Sequence, residues 1–482
     1  MDKYYREEVK IYIEDKKKKA MNDYGLKAIN ERDFVEDIRD YYFDTDIEKV
    51  LVLSGLRATG KTFGLFQAVE KYDDVLYLTS TSEEPETGKD YIETIKSYPA
   101  TYIIIDEYSW IKDRSELDKY LYTLVSGNDR KRVAITGTDS IALDYMPYSD
   151  LIHRVLYTNV NMVTFQEYCR IYQKEYCKKT CEEYLQIGGV FSEYAIETFD
   201  DMLNYIQLAV IDNLANYTKM DKEKAKAIIY DIIYLAVCPS SETKVEYPNS
   251  RKQDVKYQAM LDRIGISPDV MFDKFDFKRV SDILIKTGFV VKTYNIADET
   301  GESYRLHLTN PSLTYQMTEV VFDDISASNR LGKAFEASVV SYMSRIIRSE
   351  DNMYYIDLGE KLGKPELEIV IIDSDNHLAY LMDAKLEGNA KLPPNKSLVS
   401  SLIEDSLGGI CVAGRYVICN SEYETAREVN GKPVIFTNIE STTLLNYNTF
   451  TQNFDDINNA KNSKRYRTPK KDDADAGLGK AD

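Results

Sequence analysis

Val50-Leu51-Val52-Leu53-Ser54-Gly55-Leu56-Arg57-Ala58-Thr59-Gly60-Lys61-Thr62 is an apolar run that breaks at Gly55 and closes as G-x-x-x-x-G-K-T. Behind it Phe63, Leu65, Phe66 and Val69 recur at helical spacing. A strand, a glycine-bearing loop and a helix in that order form the context a phosphate-binding loop requires. Gly55 and Gly60 let the backbone turn so that several N–H groups point inward at phosphate oxygens. The loop opens onto a helix N-terminus, whose partial positive charge favours an anion. Lys61 is placed to reach the β- and γ-phosphates, and the Thr62 hydroxyl to complete a Mg²⁺ shell. Thr59 and Phe63 complete the stretch expected to touch a nucleotide, with ATP and Mg²⁺ as the expected cofactors.

A second strand, Tyr102-Ile103-Ile104-Ile105, ends in Asp106-Glu107. The strand beside the phosphate-loop strand is expected to end in the acid that holds Mg²⁺, which assigns Asp106 to the metal. Glu107, directly after it, is the candidate general base for the attacking water. A third strand, Arg132-Val133-Ala134-Ile135, runs into Thr136-Gly137-Thr138, whose polar groups would sit beside the γ-phosphate and sense it.

At 482 residues the chain exceeds one ordinary domain, and 43% hydrophobic with 29% charged residues is a soluble profile. No apolar stretch approaches a membrane span, and Met1–Arg6 lacks the apolar core of a signal peptide. A cytoplasmic protein without a membrane partner is expected, which weighs against a transport motor. The net charge of −19 argues against non-specific binding of nucleic acid over the whole surface but leaves room for a local basic face. Cys169, Cys177 and Cys181 have no clustered histidine partner among His153, His307 and His377, so no zinc site is expected. The 39 tyrosines suggest only amphipathic core residues.

The fold class read from this is α/β and multidomain. Residues 1–45 read as a charged helical segment, with Lys16-Lys17-Lys18-Lys19 as a solvated face. Residues 46–165 alternate strands and helices around a parallel sheet. Residues 166–240 form a helical connector broken at Gly188-Gly189. Residues 241–324 read as a winged helix: a polar loop at Pro248-Asn249-Ser250, short helices, then Phe289-Val290-Val291 and Ser303–Leu308 as a hairpin. Residues 325–456 form another α/β unit, and 457–482 a disordered tail carrying Lys461, Lys464, Arg465, Arg467, Lys470 and Lys471.

A second constellation lies in that last α/β unit. Glu368 falls on one strand, Asp383-Ala384-Lys385 closes the next, and Glu336 lies on the preceding helix. Side chains alternate along a strand, so Asp383 and Lys385 share a face. Glu368 could share a divalent ion with Asp383, Glu336 could complete the shell, and Lys385 could activate water or neutralise a scissile phosphate. The competing reading is an exposed salt-bridged strand pair.

With these elements placed, residues 30–455 resemble a prokaryotic family of AAA-type ATPases with a C-terminal domain related to PD-(D/E)xK nucleases. Arg57 stands where that family carries a basic residue in the loop, and Asp106-Glu107 and Thr136-Gly137-Thr138 match its later strand ends. Arg154 matches its arginine before the next strand and joins the nucleotide-binding set by that resemblance. Thr164-Phe165-Gln166-Glu167-Tyr168 and Tyr184-Leu185-Gln186-Ile187-Gly188-Gly189 match two further motifs, and Leu331–Glu336, Glu366-Leu367-Glu368 and Asp383-Ala384-Lys385 the C-terminal ones. Glu368 replaces the usual Asp and Asp383 the usual Glu. The resemblance implies ATP hydrolysis controlling a nuclease-like domain that acts on DNA. It equally admits a nucleotide switch whose C-terminal module only binds a protein partner or a second copy of the chain.

Overall fold

The computed structural model describes residues 1–24, 29–43, 47–80, 86–127, 129–145, 151, 154–191, 195–238, 254–359, 365–386, 396–420 and 424–459. The loop at Pro248–Ser250, His153 and the basic tail residues lie outside these.

The first sheet holds β1 (Asp2–Tyr5), β2 (Val50–Ser54), β3 (Val75–Thr79), β4 (Tyr102–Asp106), β5 (Arg132–Thr136) and β6 (Val155–Asn159), in the order β1-β3-β4-β5-β2-β6. Every pairing is parallel except β1 with β3. Parallel strands are buried on both faces, which is why β2 reads as an unbroken apolar run. Val50 and Val52 enter one core with Leu76, Ile105 and Val133, while Leu51 and Leu53 enter the opposite core with Leu65, Tyr77 and Ala134. β5 lies between β2 and β4. The expectation that the Asp106 strand is the immediate neighbour of the phosphate-loop strand is therefore corrected: it is next but one.

The N-terminal segment is not helical throughout. β1 adds an antiparallel edge to β3, with Tyr4 opposite Tyr77. The helix Glu7–Tyr24 then folds back over the sheet, stacking Tyr12 against Tyr4 with ring centroids 4.2 Å apart and against Tyr77 at 5.5 Å. Here the tyrosines act as flat packing surfaces.

After β6 the helices Phe165–Ile171 and Lys178–Ile187 lead to Gly188-Gly189, and Phe199–Ile206 through Lys222–Val237 follow. The helices Val255–Ile264, Lys274–Lys286 and Pro311–Val321 share one hydrophobic core with them, joining Ile229, Ile233, Met260, Val280, Leu284 and Met317. The hairpin β7 (Val290–Asn295) and β8 (Tyr304–Leu308) is antiparallel, as a wing would be. It is not a free wing. β7 also pairs in parallel with β9 (Asp351–Asp357) through Tyr294 and Asn295, so the sheet runs across the boundary drawn at 324.

That second sheet adds β10 (Glu366–Asp373), β11 (Leu378–Lys385), β12 (Cys411–Cys419), β13 (Thr425–Val429) and β14 (Lys432–Thr437), in the order β13-β14-β12-β11-β10-β9-β7-β8. The helix Ala327–Ile346 covers one face through Phe335, Val339 and Met343 on Ile369, Ile371 and Met382. Leu398 and Ile403 cover the other. The helix Phe450–Asn459 runs three residues into the expected tail, and the rest of that tail lies outside the described residues.

Candidate functional site

The phosphate loop is shaped by backbone that few side chains tolerate. Gly55 has φ 140° and Gly60 φ 83°, and Ala58 also sits at φ 63°. A Cβ on Gly55 would lie 2.3 Å from the Val160 carbonyl oxygen, and one on Gly60 2.4 Å from the Phe191 ring. Glycine at both positions is therefore steric necessity.

The loop's carbonyls are held from outside. The Arg57 carbonyl accepts from the Tyr205 hydroxyl at 3.4 Å, the Ala58 carbonyl from the Phe191 N–H at 3.0 Å, and the Thr59 carbonyl from Arg32 at 2.5 Å. With carbonyls tied outward, the loop's remaining polar edge is left for an anion. Lys61 Nζ donates to the Gly55 and Leu56 carbonyls at 2.7 and 2.8 Å, folded onto its own loop.

Arg32 is the main support. Its guanidinium forks onto Glu167 at 2.7 and 3.0 Å and also donates to the Asn161 and Met162 carbonyls, all in a buried setting. Burial alone would raise the Glu167 carboxyl, but Arg32 and the Thr164 and Asp33 backbone N–H groups hold it below its ordinary range. Glu167 also closes a capping box with Thr164 on the helix Phe165–Ile171. The T-F-Q-E-Y motif is thus the loop's buttress. The Y-L-x-x-G-G motif brings Phe191 to the loop: Gly189, at φ 92°, accepts from the Val163 N–H at 2.9 Å, and Phe191 follows two residues later. Glu440, from the far end of the second sheet, accepts from the Phe165 and Gln166 N–H groups at 2.9 and 2.6 Å and ties the two sheets together.

A cavity of about 310 Å³ lies over the loop. Arg57, Gly60, Lys61, Thr62, Phe63 and Thr138 line it, as the sequence predicts, together with Lys16, Lys19, Asp23, Ile171, Tyr172 and Phe191. The lysine run read as a solvated face therefore sends two members to the cavity. Sequence reasoning missed them because a helix that closes over a distant loop leaves no local signal.

Thr62 Oγ1 donates to Asp106 Oδ2 at 2.8 Å, and the Tyr77 hydroxyl donates to the same oxygen at 2.9 Å. A hydroxyl and a carboxylate in contact, beside a lysine, form a hard-oxygen pair that fits Mg²⁺. Glu107 Oε2 accepts from the Thr138 N–H, the Thr138 hydroxyl and Trp110 Nε1, each at 3.0 Å. Burial and the adjacent Asp106 carboxylate raise the Glu107 carboxyl above its ordinary value, against the lowering effect of the Thr138 bonds.

Three predicted positions fall elsewhere. The Thr59 side chain is 1% exposed and donates to the Leu56 carbonyl, so it braces the loop from beneath. Gly55 shapes the loop without lining the cavity. Arg154 precedes β6, which runs parallel to β2 with Val155 opposite Val50 and Asn159 opposite Ser54. It therefore sits a whole strand from the loop, roughly 16 Å at 3.3 Å per residue, with its guanidinium 3.4 Å over the Tyr122 ring. Its assignment to this chain's own nucleotide pocket is corrected.

In the second sheet, Asp383 is fully buried and Lys385 Nζ lies 3.4 Å from its Oδ1, on the same strand face. Burial and then the neighbouring Asp383 carboxylate push Glu368 well above the ordinary carboxylate range. Glu336 is within electrostatic reach of this pair. Among the described residues, however, no three His, Cys, Asp or Glu side chains converge as a metal centre, so the three-carboxylate shell is not formed.

The AAA domain family matches residues 47–169. No curated protein matches the sequence. Among solved structures, Cdc6p from Pyrobaculum aerophilum aligns at 11% identity over 62% of this chain and 95% of its own, with a TM-score of 0.25. The RuvB Holliday junction branch migration motor of Thermotoga maritima aligns at 13% identity over 61% and 91%, with a TM-score of 0.23. The Orc1 protein of Aeropyrum pernix, in complex with DNA, aligns at 11% identity over 60% and 91%, with a TM-score of 0.24. No helix among the described residues is long and apolar enough to cross a membrane. Residues 47–169 are an AAA domain of the P-loop nucleoside-triphosphatase class, carried in a chain that extends well beyond the match.

Proposed function

We propose that the chain binds ATP with Mg²⁺ in the cavity over residues 55–63 and hydrolyses it. The 2.8 Å contact between Thr62 Oγ1 and Asp106 Oδ2, with Lys61 and Glu107 on either side, carries this reading. Lys61 exchanges its two loop carbonyls for the β- and γ-phosphates. Thr62 and Asp106 hold the metal, which when bound neutralises charge on the phosphate oxygens. Glu107 takes the proton of the attacking water. Arg154, at the other end of the sheet, reaches a nucleotide only on a second copy of the chain. Steady-state phosphate release from ATP, with Glu107→Gln as the control, tests the proposal; Mg²⁺-dependent release that the control abolishes supports it, and release that survives in the control contradicts it.

The nucleotide state would reach the second sheet through Phe191, which bonds the loop at the Ala58 carbonyl, and through Arg32, which joins the Thr59 carbonyl to Glu167 on the helix Phe165–Ile171. A nuclease-like reading of this module is favoured by one observation: Glu368 Oε2 is buried without a hydrogen-bond partner, beside Asp383 and Lys385. The strand order agrees with it, since a helix, three antiparallel strands and a fourth strand parallel to β11 follow one another. DNA is then the substrate class. Titration of the full chain with Mn²⁺, without nucleotide, should show a saturable site that Asp383→Ala removes while ATP affinity stays unchanged. Identical Mn²⁺ titrations for the two proteins would leave the module as a protein-binding unit.

A further inference from the structure

The Asp106 carboxylate is fixed by more than the phosphate loop. Its Oδ1 accepts from the Glu107 N–H at 2.8 Å, and its Oδ2 from two hydroxyls, Thr62 at 2.8 Å and Tyr77 at 2.9 Å. Thr62 can give its one proton to Asp106 and still offer a lone pair to a metal. Tyr77 lies on β3 opposite Ile104 of β4, two residues before Asp106. Side chains two apart share a face of a sheet, so the tyrosine reaches the acid on the diagonal. Its ring is 2% exposed and packs edge-on against Phe66, with centroids 4.9 Å apart. Phe66 stands one turn beyond Thr62 on the helix Lys61–Val69. A phenylalanine would serve that packing as well. The hydroxyl adds a donor aimed at the acid assigned to the metal.

The N-terminal arm closes on the same ring. Tyr12 stacks on Tyr77 at 5.5 Å, meets Phe66 edge-on at 5.6 Å and stacks on Tyr4, which stands opposite Tyr77 in the β1–β3 ladder. Val9 and Ile13 of the same helix enter the core that holds Tyr77 and Phe66. Lys16 and Lys19 of that helix line the cavity. The arm therefore meets the cavity directly and Asp106 through one ring. It lies outside the AAA match, which begins at residue 47.

We propose that Tyr77 is a positioning residue for Asp106 and that the N-terminal arm, through Tyr12, holds it there, so that docking of the arm and binding of the metal–nucleotide complex favour each other. This rests on the nucleotide reading above. A carboxylate held by Tyr77, Thr62 and the next N–H in the chain is oriented in advance, which is what outer hydrogen bonds do for metal-binding acids. The linkage is reciprocal: what the docked arm does for the metal, the metal does for the arm.

Two measurements on the full chain test this. Calorimetry gives ATP affinity with Mg²⁺ and with EDTA, for the parental chain and for Tyr77→Phe, which keeps the ring and removes the donor. The affinity gained from Mg²⁺ should fall roughly tenfold in the variant, the low end for a lost outer hydrogen bond, while affinity in EDTA should change by less than about twofold. Amide hydrogen exchange in the helix Glu7–Tyr24 should be slower with ATP–Mg²⁺ than with ATP and EDTA, both at saturation. Tyr77→Phe should remove that difference. An unchanged Mg²⁺ gain in the variant overturns the proposal. An equal loss with and without Mg²⁺ overturns it too, since a purely structural tyrosine would give that result. Exchange that ignores Mg²⁺ in the parental chain overturns the link to the arm. A parental chain that gains no ATP affinity from Mg²⁺, or binds no ATP, overturns the nucleotide reading and the proposal together. Should the variant fail to fold, hydrogen exchange in the parental chain decides.

Discussion

Glu107→Gln should leave ATP and Mg²⁺ bound and slow turnover roughly 10²–10⁴-fold, the range for loss of a general base. The amide matches the carboxylate in size, and its oxygen can still accept from Thr138 and Trp110, which donate to Glu107 Oε2 at 3.0 Å. Lys61, Thr62 and Asp106 lie outside the change, so affinity should hold. What is lost is the capacity to take a proton from water. Phosphate release and calorimetric ATP affinity, measured on the same preparation, separate the two effects. A variant that turns over at the parental rate would remove Glu107 from the chemistry.

Arg32→Ala should be the most destabilising single change among the residues that support the phosphate loop. Arg32 and Glu167 are 6% and 2% exposed, and the guanidinium also serves the Thr59, Asn161 and Met162 carbonyls. Truncation leaves a buried carboxylate without its cation, which typically costs about 3–5 kcal/mol. Arg32→Lys should recover little, because an ammonium cannot fork onto a carboxylate and reach three carbonyls as well. Urea denaturation reads the loss directly. A cost under about 1 kcal/mol, as for an exposed pair, would show that Arg32 does not hold the loop.

The parts of this molecule that are legible in its sequence are those encoded within a few residues of each other. The β2 run is continuous because both its faces are buried, and Gly55 and Gly60 stand where a Cβ would strike Val160 or Phe191. Asp106-Glu107 at a strand end and the cavity-lining Thr138 follow from the same local grammar. Arg154 was legible in principle: a residue preceding a strand parallel to β2 must lie at the end away from the loop. The resemblance to the AAA-type family drew it into the pocket all the same.

Sheet order was not legible. Nothing within β2, β4 or β5 states that β5 stands between the other two, because lateral order is set by contacts between distant segments. The same holds for β1, four residues whose pairing partner lies more than 70 positions on, and for β7, whose partner β9 makes a sheet of what reads as a free wing. Arg32, Lys16 and Lys19 gave no signal: Arg32 bonds the loop, and Lys16 and Lys19 line its cavity, from an N-terminal segment that reads as charged surface. The motif residues Glu167 and Gly189 were visible as a pattern, but their work in bracing the phosphate loop became clear only from what they touch.

The central claim is that the cavity over the loop is an ATP–Mg²⁺ site built on Lys61. Isothermal titration of the full chain with ATP, with and without Mg²⁺, alongside Lys61→Ala, tests it most directly. Lys61 is 6% exposed and donates to the Gly55 and Leu56 carbonyls, and its loss should remove the charge-assisted contact to the phosphates. The account predicts saturable, Mg²⁺-strengthened binding by the parental chain and none in Lys61→Ala at the same concentrations. Equal affinity in both proteins would contradict it.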